Sequence, residues 1–362
     1  MLVYISVYLN RIEGFMPEVT VNAQQLTVLC TDILTKTGVP AADAHLVGDS
    51  LVQADLWGHP SHGVLRLPWY VRRLHSGAMT THAHVEVLND LGAVLALDGH
   101  NGIGQVLADH ARKEAVTRAM MFGIGAVSVR NSNHFGTAMY YTRKAAAQGC
   151  VSILTTNASP AMAPWGGREK RIGTNPWSIA APFGETATVV DIANTAVARG
   201  KIYHARQTNM PIPETWAITS EGAPTTDPAE AINGVVLPMA GHKGYAISFM
   251  MDVLSGVLTG SQHSTKVHGP YDPTPPGGAG HLFIALDVAA FRDPQDFDDA
   301  LSDLVGEVKS TPKAQNTEEI FYPGESEDRA HRKNSAHGIS LPEKTWMELQ
   351  ELAIENHVVT HR

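Results

Sequence analysis

Ser61, His62 and Arg66 bring a hydroxyl, an imidazole and a guanidinium into one short stretch, Trp57-Gly58-His59-Pro60-Ser61-His62-Gly63-Val64-Leu65-Arg66. The stretch opens as loop chemistry, with Gly, Pro and Ser in close order. If a helix begins near Ser61, the i, i+4 spacing sets His62 and Arg66 on one face above its N-terminus. That trio suits a small carboxylate-bearing substrate: the guanidinium as a bidentate clamp, the imidazole as donor, the hydroxyl as a hydrogen-bond partner. The plainer reading makes Ser61 a helix cap and Arg66 a solvated charge. His59 and His62 raise the thought of a metal. No third ligand stands nearby at metal-site spacing, so no metal is expected.

A second polar cluster is Arg130-Asn131-Ser132-Asn133-His134-Phe135-Gly136. Residues 124–129 before it form a short apolar, β-branched run, which predicts a buried strand. Residues 137–149 after it have helical spacing and end on a glycine. The cluster therefore falls on a strand-to-helix turn, where a sheet presents side chains and helix amides to a ligand. Here too a plainer reading stands: Ser132 or Asn133 caps the helix and His134 is an ordinary surface residue.

Two further places could hold an anion or a sugar. Residues 188–193 read as a strand with Asp191 at its end. That carboxylate can orient an imidazole, accept from ribose hydroxyls, or simply cap a turn. Lys243-Gly244 stands at the start of a helix over 246–259 that is apolar nearly all round and so predicted buried. Helix amides plus an ammonium make a site for a cofactor phosphate, unless the lysine only marks a chain reversal. Gly102-x-Gly104 does not extend to a Gly-x-Gly-x-x-Gly, because position 107 is Leu. An ordinary Rossmann phosphate loop is not expected.

The elements that must position these groups follow in order. Two helices are predicted over 21–56, broken at Gly38-Val39-Pro40. Residues 70–77 finish a helix, 85–97 alternate as antiparallel strands, 98–104 turn, and 105–122 form an amphipathic helix. A strand at 151–156 runs into long Pro/Gly/Asn loops of the kind that build sites. After a short helix at 200–206, residues 216–228 look like a solvent-side excursion. The Gly/Pro-rich 263–280 reads as mobile, 281–287 as a strand and 297–308 as an acidic helix. Residues 320–325 read as a strand ending in a turn, followed by helices over 327–334 and 341–355.

At 362 residues the chain can bury a sizeable core, and more than one domain is expected. A formal net charge of −9 without a basic stripe disfavours nucleic acid. No window reaches membrane-spanning length. Two cysteines, Cys30 and Cys150, form no disulfide framework, which points to a reducing, cytoplasmic home. Residues 1–9 are apolar without a basic n-region or a small-residue cleavage site, so no signal peptide is expected, and residues 1–15 read as an artefact of start-site choice or a loose strand.

Taken together, the motifs resemble the malate/L-lactate dehydrogenase family that is not of the Rossmann type. Its relatives include ureidoglycolate, sulfolactate, diketogulonate and piperideine-carboxylate oxidoreductases. The carrying motifs are Ser61-His62-Gly63-Val64-x-Arg66, Asn133-His134-Phe135-Gly136, Ala163-Pro164-Trp165-Gly166-Gly167, Gly173-Thr174-Asn175-Pro176, Pro224-Thr225-Thr226-Asp227-Pro228 and Gly241-His242-Lys243-Gly244-Tyr245, in this order across residues 21–349. The resemblance implies an α/β, mixed-sheet NAD(P)-binding fold peculiar to the family, with a helical N-/C-terminal domain. The implied division is 16–120 plus 285–362 as a helix-rich substrate and dimer domain, and 121–284 as the cofactor-binding domain. It implies NAD- or NADP-dependent interconversion of a small 2-hydroxy acid and its 2-oxo acid, and a homodimer. Carried over by motif, His134 and His62 are the acid/base imidazoles, with Ser61 beside them; Arg66 and Asn133 meet the substrate. Asp191, Ile192, Ala193, Lys243, Gly244, Gly324, Glu325 and Ser326 meet the cofactor. Where ureidoglycolate enzymes carry an arginine for their substrate, this chain has Gly277 or Gly278, which favours a smaller acid such as malate, lactate or sulfolactate. A non-catalytic binding protein on the same scaffold, or a cyclic imino acid reductase, stand as alternatives.

Overall fold

The computed structural model describes residues 18–358, and the expectation for residues 1–15 lies outside them. Strand β1 (Glu18–Val21) leads into helix α1 (Ala23–Lys36), where the Asn22 side chain accepts from the amides of Gln24 and Gln25 at 2.9 and 3.2 Å. After the break at Thr37 to Pro40 come α2 (Ala41–Leu56), two single 3₁₀ turns (Pro60–His62 and Val64–Arg66) and α3 (Leu67–Ser76). Gly77 ends α3 in the left-handed region at φ 78°, where a side chain would be strained.

Strands β2 (Glu86–Asp90) and β3 (Val94–Asp98) pair antiparallel, as their alternation predicts. Helix α4 (Gly104–Phe122) then crosses over to β4 (Ile124–Ser132), which lies parallel to β3. Helix α5 (Met139–Ala146), β5 (Cys150–Thr156), β6 (Trp177–Phe183) and β7 (Thr186–Ile192) follow. Helices α6 (Arg199–Gln207) and α7 (His242–Asp252) precede strand β8 (Ala279–Asp287). The chain closes with α8 (Pro294–Ser310), α9 (Glu325–His337), β9 (Ile339–Pro342) and α10 (Glu343–Glu355). Strands β2 to β8 make one seven-stranded sheet in the order β2-β3-β4-β8-β5-β6-β7, and β9 pairs with β1. Only the β3/β4 pair in that sheet is parallel, so the sheet is mixed and the fold is not a doubly wound parallel one.

Apolar burial falls into three clusters. One lies on the sheet and under α4 and α5, with Val127, Val129, Leu154 and Phe283 at its centre. A second joins α1, α2 and α3 to β9 and α10 through Leu26, Leu51, Leu67 and Leu349. A third, small one holds Val197, Ile202, Ile212, Ala217 and Val236 together.

Four local expectations need correction. Residues 216–228 are no solvent-side excursion throughout: Ala217 is fully buried in the third cluster. The segment 320–325 forms no strand. Its Pro323 carbonyl accepts from Val189 N on the open edge of β7 at 3.0 Å, but Pro323 has no N–H and Gly324 turns at φ 96°, so no ladder propagates. The segment 263–280 is tied down by bonds to α3, described below. Helix α7 and the π turn after it (Val253–Val257) are not buried all round. Gly244, Ser248, Asp252 and Ser255 face inward, while Phe249, Met250, Val257 and Leu258 are 47–63% exposed. Small residues face inward because β8 approaches closely: a Cβ on Gly280 would lie 1.7 Å from the Ser255 carbonyl.

Candidate active site

The two polar clusters meet. The turn after β4 carries His134 against α3 and the 3₁₀ turns before it. The His62 and His134 rings stack at 15° with centroids 5.7 Å apart. Each imidazole is held at Nδ1 by a hydroxyl. Ser61 Oγ lies 2.9 Å from His62 Nδ1, and Tyr70 Oη lies 2.7 Å from His134 Nδ1. The Gly136 amide also donates to His134 Nδ1, at 3.3 Å. Nε2 of both rings is left for chemistry. A hydroxyl can donate or accept, so it serves either tautomer of its histidine.

Instead of one continuous helix from Ser61, the chain makes two tight turns. Asp55 explains them. Its carboxylate accepts from Val64 N at 2.9 Å, and a Cβ on Gly63 would fall 2.0 Å from that carboxylate. The chain is thereby pinned to α2 just before Arg66. Arg66 reaches back, donating from Nε to the Ser61 carbonyl at 2.6 Å, and stacks its guanidinium over Trp69 at 4.2 Å. Ser61 is exposed, while His62 and Arg66 are half-buried.

Helix α3 supplies two groups that the sequence motifs miss. Tyr70 and Arg73 follow Arg66 at i+4 and i+7, one stripe of the helix. Arg73 donates to the carbonyls of Asp272 and Pro275 and to Asn133 Oδ1. Ser76 Oγ donates to the Pro273 carbonyl. These bonds fasten the 272–275 loop over the site. Asn133 Nδ2 donates to the Asn101 and Gly102 carbonyls at 3.0 and 2.9 Å, so Asn133 ties the His134 turn to the turn before α4. Gln105, at the start of α4, is wholly buried beside Tyr70.

Tyr70, Arg73, Met79, Asn133, His134, His268 and Pro270 line a narrow cavity. Its free volume is about 10 Å³, the space of a single water. No carboxylate is in its lining. Burial and the charges of His62 and Arg66 hold His134 well below the usual imidazole range. Burial and Arg66 push His62 down to about 3. Both rings are neutral at neutral pH. Burial pushes the Tyr70 hydroxyl up, so it keeps its proton. Behind the turn, His281 is wholly buried between Ser132 Oγ at 2.7 Å and Thr156 Oγ1 at 2.9 Å, its ring edge-on to Phe135. Burial pushes it down to about 3.

Asp191 stands at the end of β7, as the sequence suggests, and its carboxylate is engaged. It accepts from Thr137 Oγ1 at 2.5 Å and from Met139 N at 2.8 Å, capping α5, the helix that leaves the His134 turn. Ile192 is half-buried and Ala193 exposed. Beyond them Asn194 and Thr195 pair with Met239 and Pro238, which delivers the chain to the start of α7. There Lys243 is exposed at the helix N-terminus and Gly244 is buried. A Cβ on Gly244 would lie 2.2 Å from the Met239 carbonyl, so only glycine allows this reversal. Gly324 lies against β7: a Cβ there would lie 2.8 Å from Val189 Cγ1. Glu325 is turned to Lys309 at 2.5 Å and Arg329 at 2.8 Å, and Ser326 Oγ donates to Glu327 at 2.7 Å. Of the three stretches that the motifs assign to a cofactor, Asp191 and Ile192 end β7 with Ala193 next in the chain, Gly324 lies against Val189, and Lys243-Gly244 is joined to the segment after β7 through Met239 and Asn194. The structure does not bring them into the His134 cavity.

Among the described residues, no three His, Cys, Asp or Glu side chains group to hold a metal ion, and no helix is long and apolar enough to cross a membrane.

Comparison with known proteins agrees with this geometry. Residues 21–350 match the model of the malate/L-lactate dehydrogenase family. The malate/(S)-sulfolactate dehydrogenase of Methanothermus fervidus is 38% identical over 91% of this chain and 96% of its own length. Two other relatives carry a cofactor in their names. They are the ureidoglycolate dehydrogenase (NAD(+)) of Escherichia coli, 33% identical over 93% of this chain and 96% of its own, and the (2R)-3-sulfolactate dehydrogenase (NADP(+)) of Chromohalobacter salexigens, 32% over 92% and 98%. The solved sulfolactate dehydrogenase of Methanocaldococcus jannaschii superposes with a TM-score of 0.90 at 36% identity, over 94% of this chain and 98% of that one. With the family's ordered motifs gathered around one mixed sheet, the chain belongs to the malate/L-lactate dehydrogenase family.

Proposed function

We propose that this protein is an NAD- or NADP-dependent dehydrogenase that interconverts a small 2-hydroxy acid of the malate, lactate or sulfolactate type with its 2-oxo acid. The observation that carries this reading is the small cavity at His134, bordered by arginine and histidine and free of carboxylate lining. Such a site favours an anion and gives it an imidazole at hydrogen-bond reach.

The residues around β7 fit a nicotinamide cofactor. The positive N-terminus of α7, with exposed Lys243 and buried Gly244, suits a phosphate, and the Asn194–Met239 bond ties it to the end of β7 where Ile192 and Ala193 lie. Asp191 contributes by holding α5, and Gly324, Glu325 and Ser326 border the free edge of β7. When bound, the cofactor supplies the hydride acceptor or donor.

His134 lines the cavity, so it is assigned the reacting oxygen. Its Nε2 takes the substrate hydroxyl proton in the tautomer whose Nδ1–H donates to Tyr70 Oη. In the other tautomer, which the Gly136 amide favours, Nε2–H meets the 2-oxo oxygen. His62, stacked on His134 and held by Ser61, keeps a second neutral imidazole beside the first. Arg66 holds the substrate carboxylate, and Asn133 fixes the cavity wall.

The outward apolar face of α7 supports a homodimer. An amphipathic helix that points its small polar residues inward and Phe249, Met250 and Leu258 outward needs a second cover, and a second copy supplies it. The helical cluster of α1, α2, α3 and α10 supports a helix-rich unit (16–120 plus 285–362) beside a cofactor unit (121–284). The free, buried cysteines suit a cytoplasmic protein.

The test is His134→Gln. This variant is expected to lose turnover by about a hundredfold or more while still binding NAD or NADP. Full activity in the variant would end the assignment.

A further inference from the structure

Gln105 carries a buried amide that the fold itself leaves unpaired. It sits in the first turn of α4 and is wholly buried, and among the described residues neither its Oε1 nor its Nε2 has a hydrogen-bond partner. An unpaired buried amide costs stability, and such groups persist where chemistry uses them. The polar group beside it is the Tyr70 hydroxyl, whose ionisation feels the Gln105 amide as well as Arg66. Tyr70 Oη in turn lies 2.7 Å from His134 Nδ1. Gln105, Tyr70 and His134 thus form a series from the start of α4 to the imidazole.

The backbone holds this series together. A Cβ on Gly104 would fall 2.3 Å from the Asn133 carbonyl and 2.4 Å from the His134 carbonyl, so the first turn of α4 is pressed onto the His134 turn. Asn133 Nδ2 binds the Asn101 and Gly102 carbonyls just ahead of it.

The proton positions show what Gln105 adds. The Gly136 amide donates to His134 Nδ1 at 3.3 Å, which favours a bare Nδ1 and puts the ring proton on Nε2. In that tautomer Nε2 is no base. The basic tautomer carries Nδ1–H, and Tyr70 Oη must then accept from it. The hydroxyl proton of Tyr70 needs another acceptor, and the Gln105 amide is the group beside it. A hydrocarbon in that place would leave the Tyr70 proton directed at Nδ1.

We propose that Gln105 is a positioning residue whose Oε1 accepts a hydrogen bond from the Tyr70 hydroxyl, so that His134 keeps Nδ1–H and presents a bare Nε2 to the substrate hydroxyl. No proton passes beyond the imidazole. The substrate proton stays on Nε2, and the Tyr70–Gln105 series stabilises the positive charge that forms on the ring. This inference rests on the reading above in which His134 is the acid/base of a 2-hydroxy acid dehydrogenase.

The experiment compares the wild type, Gln105→Met and Gln105→Glu. It reads the ring-nitrogen NMR shifts of His134, assigned against His134→Gln, the pH profile of kcat for oxidation of malate, sulfolactate and lactate, and the thermal midpoint. Gln105→Met keeps the shape and deletes both polar atoms. It is expected to shift the ring about tenfold towards Nε2–H, the size of one hydrogen bond, and to lower kcat by about the same factor with little change in KM. Its thermal midpoint should hold or rise, because an unpaired buried amide is gone. Gln105→Glu keeps an acceptor and should retain Nδ1–H and most of kcat, with the acid limb moved to higher pH because a carboxylate favours the charged ring. The other groups whose charge reaches the ring, His62, Arg66, Arg73 and His281, are the same in all three proteins. A tautomer ratio that Gln105→Met leaves unchanged would overturn the proposal, whatever the midpoint does. If the wild type oxidises no 2-hydroxy acid, the dehydrogenase reading fails, and the ring shifts still decide the role of Gln105. Should Gln105→Met fail to fold, Gln105→Glu decides: a raised acid limb with Nδ1–H retained upholds the proposal, and an unmoved limb overturns it.

Discussion

The Tyr70 hydroxyl lies 2.7 Å from His134 Nδ1 and joins the substrate-side helix to the turn that leaves the sheet. The two residues are 64 positions apart, and neither element alone fixes the imidazole. In the proposed reaction, the bond makes Tyr70 a positioning residue for proton transfer at His134.

Tyr70→Phe keeps the ring and deletes the bond. The Gly136 amide still donates to Nδ1, so the cost is that of one hydrogen bond, about 0.5–1.5 kcal/mol. The expected result is a fall in kcat of about ten- to a hundredfold, with a smaller change in KM and a shifted acid limb of the pH profile. Steady-state kinetics across pH checks this. A merely structural role would lower the thermal midpoint without moving the pH profile.

The low imidazole pKa values set the pH response. Hydroxy-acid oxidation needs a neutral histidine. Burial and neighbouring charge hold His134 well below 6.5, and His62 at about 3. The kcat/KM for oxidation should therefore stay level as pH falls through 6.5, with its acid limb well below. A break at the ordinary histidine value would show that the rings are not desolvated in the working enzyme.

Stability carries the same sign. His281 is neutral in the fold with a pKa of about 3, against 6.5 when exposed in the unfolded chain. Between those values the unfolded state binds more protons. Stability is thus fully present above pH 6.5 and declines as pH falls towards 3. Urea unfolding at a series of pH values should show this slope. His281→Asn should flatten part of it, although the variant starts from a lower stability.

Asp191 links β7 to the start of α5, next to the turn that carries His134. Asp191→Ala removes the acceptor for Thr137 Oγ1 and Met139 N, and should cost about 1–2 kcal/mol through the lost helix cap. Activity should fall with it, because α5 anchors the turn that carries His134. Asp191→Asn keeps an acceptor and should retain most of the stability. Thermal melts and kcat of the two variants separate capping from direct cofactor contact: a contact role predicts loss of cofactor affinity in both.

The outward face of α7 makes a prediction about assembly. Phe249→Glu with Leu258→Glu places charge on the apolar face and should convert a dimer to a monomer in sedimentation velocity. An unchanged sedimentation coefficient would place the interface elsewhere.

Much of this was legible in the sequence where the cause is local. The β4 run, the turn at His134, the 21–56 helix pair and the glycine stops all rest on near neighbours. Tyr70 and Arg73 were missed although the signal was present, since both continue the stripe from Arg66 at i+4 and i+7. Buried among Leu67, Val71 and Leu74, they read as part of a core face. The cap that Asp191 gives α5 spans 52 residues and is a tertiary fact. Helix α7 taught a different lesson: hydrophobic composition reports that a face must be covered, and says nothing about which chain covers it.

The most direct test of the account follows absorbance in the reduced-nicotinamide band. Purified protein is given NAD or NADP with malate, sulfolactate, lactate, ureidoglycolate or a cyclic imino acid, with His134→Gln alongside. Turnover is expected on at least one small 2-hydroxy acid with one of the two cofactors, nearly abolished in the variant. Cofactor binding without turnover on any acid, or turnover that His134→Gln leaves intact, would contradict it.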